Sequence, residues 1–225
     1  LRGQGNDPDQ SRVGGIASVE HWYKDLNSFI KKVHKETGDA PIFLYGESLG
    51  SLIIMHGNSY LDESIKETIK GVIYASPLIA LPGELPPVKN FIVRLAMFLF
   101  PKMKISIKSL ASNQNAQVTS ETDHWEQMAK TPHFVPKYTL RTLGSIEDLV
   151  HSSKEIAPRI TKPTLILYPG KDVFTRPDQV DKFFGNLKSK DKTKHLFKES
   201  HHLLAFDKEK ERLFEIVERW INKRL

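Results

Sequence analysis

The 225-residue chain predicts an α/β fold: a parallel sheet flanked by helices and interrupted by a helical insertion. Three observations carry this. Short apolar runs of strand character alternate with amphipathic helical stretches, the pattern of a sheet covered on both faces. A Gly-x-Ser-x-Gly pentapeptide sits between such a run and a helix-like one, the context in which that motif has structural meaning. One interval, from about Leu78 to Ile160, breaks the alternation and is far too long for an ordinary crossover. The expected organisation is therefore a core in two parts, 1–77 and 161–225, with a helical cap at 78–160.

The elements follow in chain order. Leu1-Arg2-Gly3-Gln4-Gly5 reads as the tail of a strand running into a loop. The chain opens without Met, so it is read as starting inside the domain, and its start says nothing about compartment. Residues 17–36 place Val19, Trp22, Leu26, Phe29, Ile30 and Val33 at helical spacing. Pro41–Tyr45 is a short strand, followed by Gly46-Glu47-Ser48-Leu49-Gly50 and a helix ending near Tyr60. A sharp strand-to-helix turn brings its flanks together, and glycines on both sides remove side chains that would collide there. Gly71–Ala75 is a second strand, closed by Ser76-Pro77. Thr164–Tyr168 is a third, closed by Pro169-Gly170, and His195–Lys198 is a weaker fourth. A final helix from about Lys208 to Asn222 carries Leu213, Ile216, Val217 and Trp220 on one face.

Within the insertion, Val88–Phe100, Ser120–Ala129 and Ser145–Ser153 read as helices. The first is apolar almost all round, which predicts burial against its neighbours. From Leu85 to Ser120 there is no acid, while Lys89, Arg94, Lys102, Lys104 and Lys108 are basic. A lipid-facing surface fits that composition too, with apolar groups in the acyl region and lysines near headgroups.

Bulk properties narrow the field. Hydrophobic content of 39% and charged content of 27% are ordinary for a globular domain. There is no cysteine, which excludes disulfides and thiol chemistry. The net charge of +6 is spread, and the Lys188–Lys194 run reads as a solvated loop rather than a nucleic-acid contact. No apolar stretch reaches transmembrane length.

The reacting groups come from chain order. A serine hydroxyl needs an adjacent base, and a carboxylate must orient that base. Where Gly-x-Ser-x-Gly forms an elbow, the order is Ser, then Asp or Glu, then His, each on a loop after a strand. Ser48 is then the nucleophile, and the N–H of Leu49 an oxyanion donor. The strand at 71–75 has no acid after it, whereas Asp172 follows the strand at 164–168. Asp172 is therefore the acid, the alternative role for it being that of an Asx-type turn residue. Asp178 and Asp181 fall in the next helix and are expected on its surface. Of nine histidines, only His201 and His202 lie between the last strand and the last helix. One is the base, and residue order alone does not say which. A metal reading of the pair lacks a His-Glu-x-x-His pattern and any cysteine.

These motifs together resemble the monoacylglycerol lipase and lysophospholipase group of α/β-hydrolases. Arg2-Gly3-Gln4-Gly5 resembles the group's Arg-Gly-His-Gly loop, with Gln4 replacing histidine. Gly46–Gly50 matches the elbow, Pro163–Asp172 the acid-bearing strand and loop, and Ser200–Asp207 the histidine loop. The placing of Asp207 and Trp220 within that pattern favours His202 as base. The resemblance implies leading strands before the Arg-Gly loop, and a His-Gly-type turn there that supplies a second oxyanion donor. The residues given begin after that point, so the expectations are a sheet edge beside strand 41–45 that is bare or covered by another chain, and an intact enzyme whose oxyanion site these residues alone do not complete. It also implies hydrolysis of carboxylic esters of single-acyl lipids through an acyl-enzyme, with no cofactor or metal. Phe91, Phe98 and Leu99 would bind the acyl chain, and the cap would touch a membrane surface. The other readings are a small-ester carboxylesterase, thioesterase or acyltransferase with the same triad, and a non-catalytic lipid-binding protein. The sequence assigns neither oligomeric state nor compartment.

Overall fold

The computed structural model describes residues 1–81, 86–106, 117–120 and 130–225. Among these residues four parallel strands form one sheet: β1 (Ile42–Glu47), β2 (Ile69–Ala75), β5 (Thr164–Pro169) and β6 (Lys192–Phe197), in the order β1-β2-β5-β6. A second sheet pairs β3 (Lys104–Ser106) with β4 (Lys137–Thr139) antiparallel. The helices are α1 (Glu20–Thr37), α2 (Leu49–Gly57), α3 (Glu63–Thr68), α4 (Pro87–Leu99), α5 (Leu140–Ile156), α6 (Pro177–Asn186) and α7 (Lys210–Asn222).

The sheet is apolar on both faces, as parallel sheets must be when helices cover them. Val72, Tyr74, Ile166 and Tyr168 point into one cluster with Ile30 of α1, Ile54 and Met55 of α2, Ile65 of α3 and Val180 and Phe183 of α6. Ile73, Ala75, Leu165 and Leu167 point the other way, against Leu213 and Trp220 of α7. Each such aliphatic side chain contributes about 1.5–3 kcal/mol through burial. Gly71 lets α7 approach: a Cβ there would lie 2.5 Å from the Trp220 ring. A third cluster joins α1, α2 and α5 through Trp22, Leu52, Ile53, Leu149 and Val150. It fixes the second half of the insertion to the elbow helix.

Four expectations change. The first residues form turns, not the tail of a strand. Asp7 organises them by accepting from the Gly3 and Asp9 N–H groups and from Arg12. The Arg12 guanidinium holds the Asp7 carboxyl far below the usual carboxylate range. The lysine run is not wholly loop, because Lys192–Lys194 opens β6. Lys192 turns back to the end of α6, donating to the Phe184 and Leu187 carbonyls at 2.9 Å. Helix α4 is not buried: no residue from 87 to 99 is. Its Asn90–Val93–Met97 side is the more sheltered one, while Phe91 is 69% exposed and Phe98 81%. The short β3–β4 pair was not foreseen at all. The helix expected at 120–129 lies, beyond Ser120, outside the described residues. Strand β1 is an edge of the four described strands, with Tyr45 exposed.

Candidate active site

The site is built at the C-terminal ends of β1, β2, β5 and β6. Ser48 follows β1 with φ 51° and ψ −115°, a left-handed conformation uncommon for a residue with a side chain. The turn is pinned on both sides. Ser48 N–H donates to the Ala75 carbonyl of β2 at 3.0 Å, and the buried Ser51 hydroxyl donates to the Gly46 carbonyl at 2.7 Å. The two glycines of the motif are not equivalent. A Cβ on Gly46 would meet the Gly50 carbonyl at 2.6 Å and Ile54 at 2.7 Å, whereas one on Gly50 would meet nothing. Close approach of strand and helix requires only the first.

His202 Nε2 lies 2.9 Å from Ser48 Oγ, and its Nδ1 lies 3.1 Å from both oxygens of Asp172. His202 is 4% exposed, and the Asp172 side chain is buried as well. A hydroxyl, an imidazole and a carboxylate therefore form one hydrogen-bonded line, its imidazole and carboxylate shielded from bulk water and its hydroxyl end half-buried. The ring nitrogen facing Asp172 is the donor when that group is ionised, which leaves Nε2 able to accept from Ser48. Asp172 also accepts from the Phe174 N–H at 2.8 Å, so the Asx-type turn and the contact with His202 coexist. Phe174 packs edge-on to the imidazole, centroids 4.7 Å apart.

His201 is placed elsewhere. Its Nδ1 and backbone N–H both reach Asp207, at 2.9 and 2.7 Å. Burial works to raise the Asp207 carboxyl, but Ser120 Oγ, the His201 and Lys208 N–H groups and the His201 ring outweigh it, bringing it down to about 2. Asp178 and Asp181 lie on α6 and pair with Arg176 and Lys194 at the surface.

Leu49 is the first residue of α2, so its N–H is one of the donors a helix leaves unused within itself, directly after Ser48. Phe91, Phe98 and Leu99 are not brought into the line: they lie on the exposed side of α4.

Several supporting residues escaped sequence reasoning. Ser76, with φ 42°, donates through Oγ to the His202 carbonyl at 2.5 Å. It was visible only as the residue closing a strand. The segment 117–120 grips the histidine loop. Val118 accepts from the Leu203 N–H at 2.9 Å, Thr119 Oγ1 donates to the Phe206 carbonyl at 2.6 Å, and Ser120 Oγ reaches Asp207. Glu47, beside Ser48, has a buried Oε1 with no hydrogen-bond partner among the described residues. Burial raises its pKa, and the nearby His202 offsets part of that. Among the described residues no cluster of three metal-ligating side chains occurs, and no helix is long and apolar enough to cross a membrane.

Comparison with known proteins places this arrangement. Rat monoglyceride lipase is 25% identical over 193 residues, covering 84% of this chain and 60% of the rat protein. The chain thus spans less than two thirds of that relative. The solved monoacylglycerol lipase of Paleococcus ferrophilus superposes with a TM-score of 0.80 at 23% identity, over all of this chain and 82% of its own. A soluble variant of yeast monoglyceride lipase, solved with a substrate analog, gives 0.82 at 21% identity, over all of this chain and 76% of its own. At such identities the structures speak for the fold alone. The profile of the Hydrolase_4 family, described as serine aminopeptidase S33, runs over residues 1–209, and the chain belongs to that family of α/β-hydrolases.

Proposed function

We propose that this protein hydrolyses carboxylic esters of single-acyl lipids, monoacylglycerols or lysophospholipids, with Ser48 as nucleophile. The observation that carries the reading is the Ser48–His202–Asp172 hydrogen-bonded line on a strained elbow. Ser48 Oγ attacks the ester carbonyl as its proton passes to His202 Nε2. Asp172 holds the ring and stabilises the imidazolium that forms. The Leu49 N–H donates to the oxyanion. The tetrahedral intermediate collapses, and His202 returns the proton to the departing alcohol. Water, deprotonated by the same histidine, then releases the fatty acid from the acyl-enzyme.

The lipid part rests on α4. Val88, Phe91, Ile92, Leu95, Phe98 and Leu99 form a continuous exposed apolar stripe, which on a helix surface marks an interaction site. In this reading Phe91, Phe98 and Leu99 meet the acyl chain or the lipid surface that delivers it. The name of the rat relative points the same way. The family description would suit a peptidase instead, and substrate profiling separates the two.

The experiment is labelling of the intact protein with a fluorophosphonate, followed by hydrolysis of monoacyl esters and an amino-acid anilide. Labelling lost in Ser48→Ala, with ester turnover falling at least about 10⁴-fold, is expected. Undiminished labelling of Ser48→Ala would remove Ser48 as nucleophile. Anilide turnover exceeding ester turnover would remove the lipid reading.

A further inference from the structure

A cavity of about 480 Å³ opens where the loop before α1 meets the end of α4 and the start of α5. Its wall carries Arg2, Arg12, Lys102, Lys104, Arg141 and His21, and among the described residues no carboxylate. Two of these charges are compensated from behind: Asp25 holds Arg2 at 2.6 Å, and Asp7 holds Arg12 at 2.7 Å. Lys104 donates to the Val13 carbonyl at 2.8 Å, which leaves its charge intact. Lys102 and Arg141 have no carboxylate partner among the described residues. About three positive charges therefore face one concavity uncompensated, and a concave wall of one sign concentrates counter-ions.

The helix beside them adds to the field. The positive end of α5 lies at Thr139–Arg141, where a helix ordinarily gains from an acid, and its first turn has none. Its leading N–H groups are already used. Leu140 donates to Met103, Arg141 to Pro101 and Thr142 to Thr139 Oγ1. A bound anion must then be held by side chains. The Arg141 fork and two ammonium groups suit a tetrahedral oxyanion of charge near −2.

We infer that this cavity binds a phosphomonoester-type dianion. Either a soluble phosphomonoester or a lipid headgroup presents that chemistry. The site is independent of the Ser48 reaction.

The test uses the purified chain at low ionic strength. Inorganic phosphate and glycerol 3-phosphate are titrated by calorimetry, with glycerol as the uncharged comparison. Phosphatidylcholine vesicles with and without lysophosphatidic acid provide the lipid arm. K102Q/R141Q is compared with K188Q/K190Q, which removes the same charge from exposed positions elsewhere, and circular dichroism checks both folds. Affinity at least about tenfold weaker in the first pair, and within about twofold of wild type in the second, is expected. Binding of the soluble phosphates would identify a soluble source. Retention only on lysophosphatidic acid vesicles, lost in K102Q/R141Q, would identify the headgroup. K102Q alone should give part of the loss, which keeps the comparison usable if the double variant misfolds. Absence of binding in both arms, or equal loss in both pairs, overturns the proposal.

Discussion

Ser48 holds a φ of 51°, a conformation that costs a non-glycine residue about 1–3 kcal/mol. The strain is supported by the Ala75 and Ser51 contacts, and it aims Oγ at His202. Two substitutions separate strain from chemistry. Ser48→Ala keeps the Cβ and the strain, whereas Ser48→Gly removes both, so the glycine variant should be more stable by about 1 kcal/mol in urea unfolding. Both should lack ester turnover. Equal stability of the two would mean that the elbow stores no strain. His201 and Asp207 give a second pair of outcomes. His202→Ala should abolish turnover, while His201→Ala should mainly lower stability, and the reverse pattern would reassign the base. The Asp207 carboxyl sits at about 2, against 3.8 when free. Its contribution is complete above the free value and is lost as pH falls through the folded one. Asp207→Asn should therefore cost about 2 kcal/mol at pH 6, with the gap closing between about pH 4 and 2. A gap unchanged at pH 2 would refute the assignment. Ser48, Asp172 and His202 were legible because each sits in a local motif with a fixed order. Ser76 was not, since its partner is 126 positions away and nothing at Ser76-Pro77 announces it.

At the element scale, β1, β2, β5 and the helices α1 and α7 could be read from periodicity because both sheet faces and one helix face are buried. β6 was half hidden. Its lysines look like loop residues, yet Lys192 satisfies carbonyls at the end of α6, and Lys192 and Lys194 lie near the Phe184 ring at 5.1 and 5.2 Å. The strands β3 and β4 have three residues each, too few to show alternation. Helix α4 misled for a different reason. All-round apolarity ordinarily signals a buried helix, but here Met97 lies against Gly144 while Phe91, Phe98 and Leu99 face outward. Residues so exposed contribute little to stability. Phe91→Asp, Phe98→Asp and Leu99→Asp should each shift unfolding by less than about 0.5 kcal/mol. The same changes should cut turnover of long-chain esters much more than that of acetate esters. Equal losses on both substrates, or a large drop in melting temperature, would make α4 a purely structural element.

For the whole molecule, the proposed lipid ester hydrolysis turns on how the fixed Ser48–His202–Asp172 line and a movable substrate come together. The sheet holds Ser48, Asp172 and His202 through strand ends packed on both faces, so the line stands on the buried core. The apolar stripe of α4 stands on the insertion, joined to the core through α5 by the Arg94 contacts with Glu147 and Asp148 and by the α5 side chains Leu149 and Val150. Substrate selection should then follow partition of the acyl chain between water and protein or lipid. Each methylene taken out of water contributes about 0.8 kcal/mol, about a fourfold gain in kcat/KM per carbon while the binding surface lasts. A series of soluble esters from acetate to decanoate should show kcat/KM rising with length and levelling where the apolar surface is filled. Phe98→Asp should flatten the slope and leave the acetate value within about twofold, because it removes the surface and not the reaction line. An outward stripe makes a further demand that a closed tunnel does not: turnover of a medium-chain monoester should rise sharply once the ester aggregates, since only then does a lipid surface exist for α4 to meet. Activity that falls steadily from acetate upward would instead identify a small-ester esterase. A length-dependent slope with no rise at aggregation would place the acyl chain inside the molecule rather than against α4.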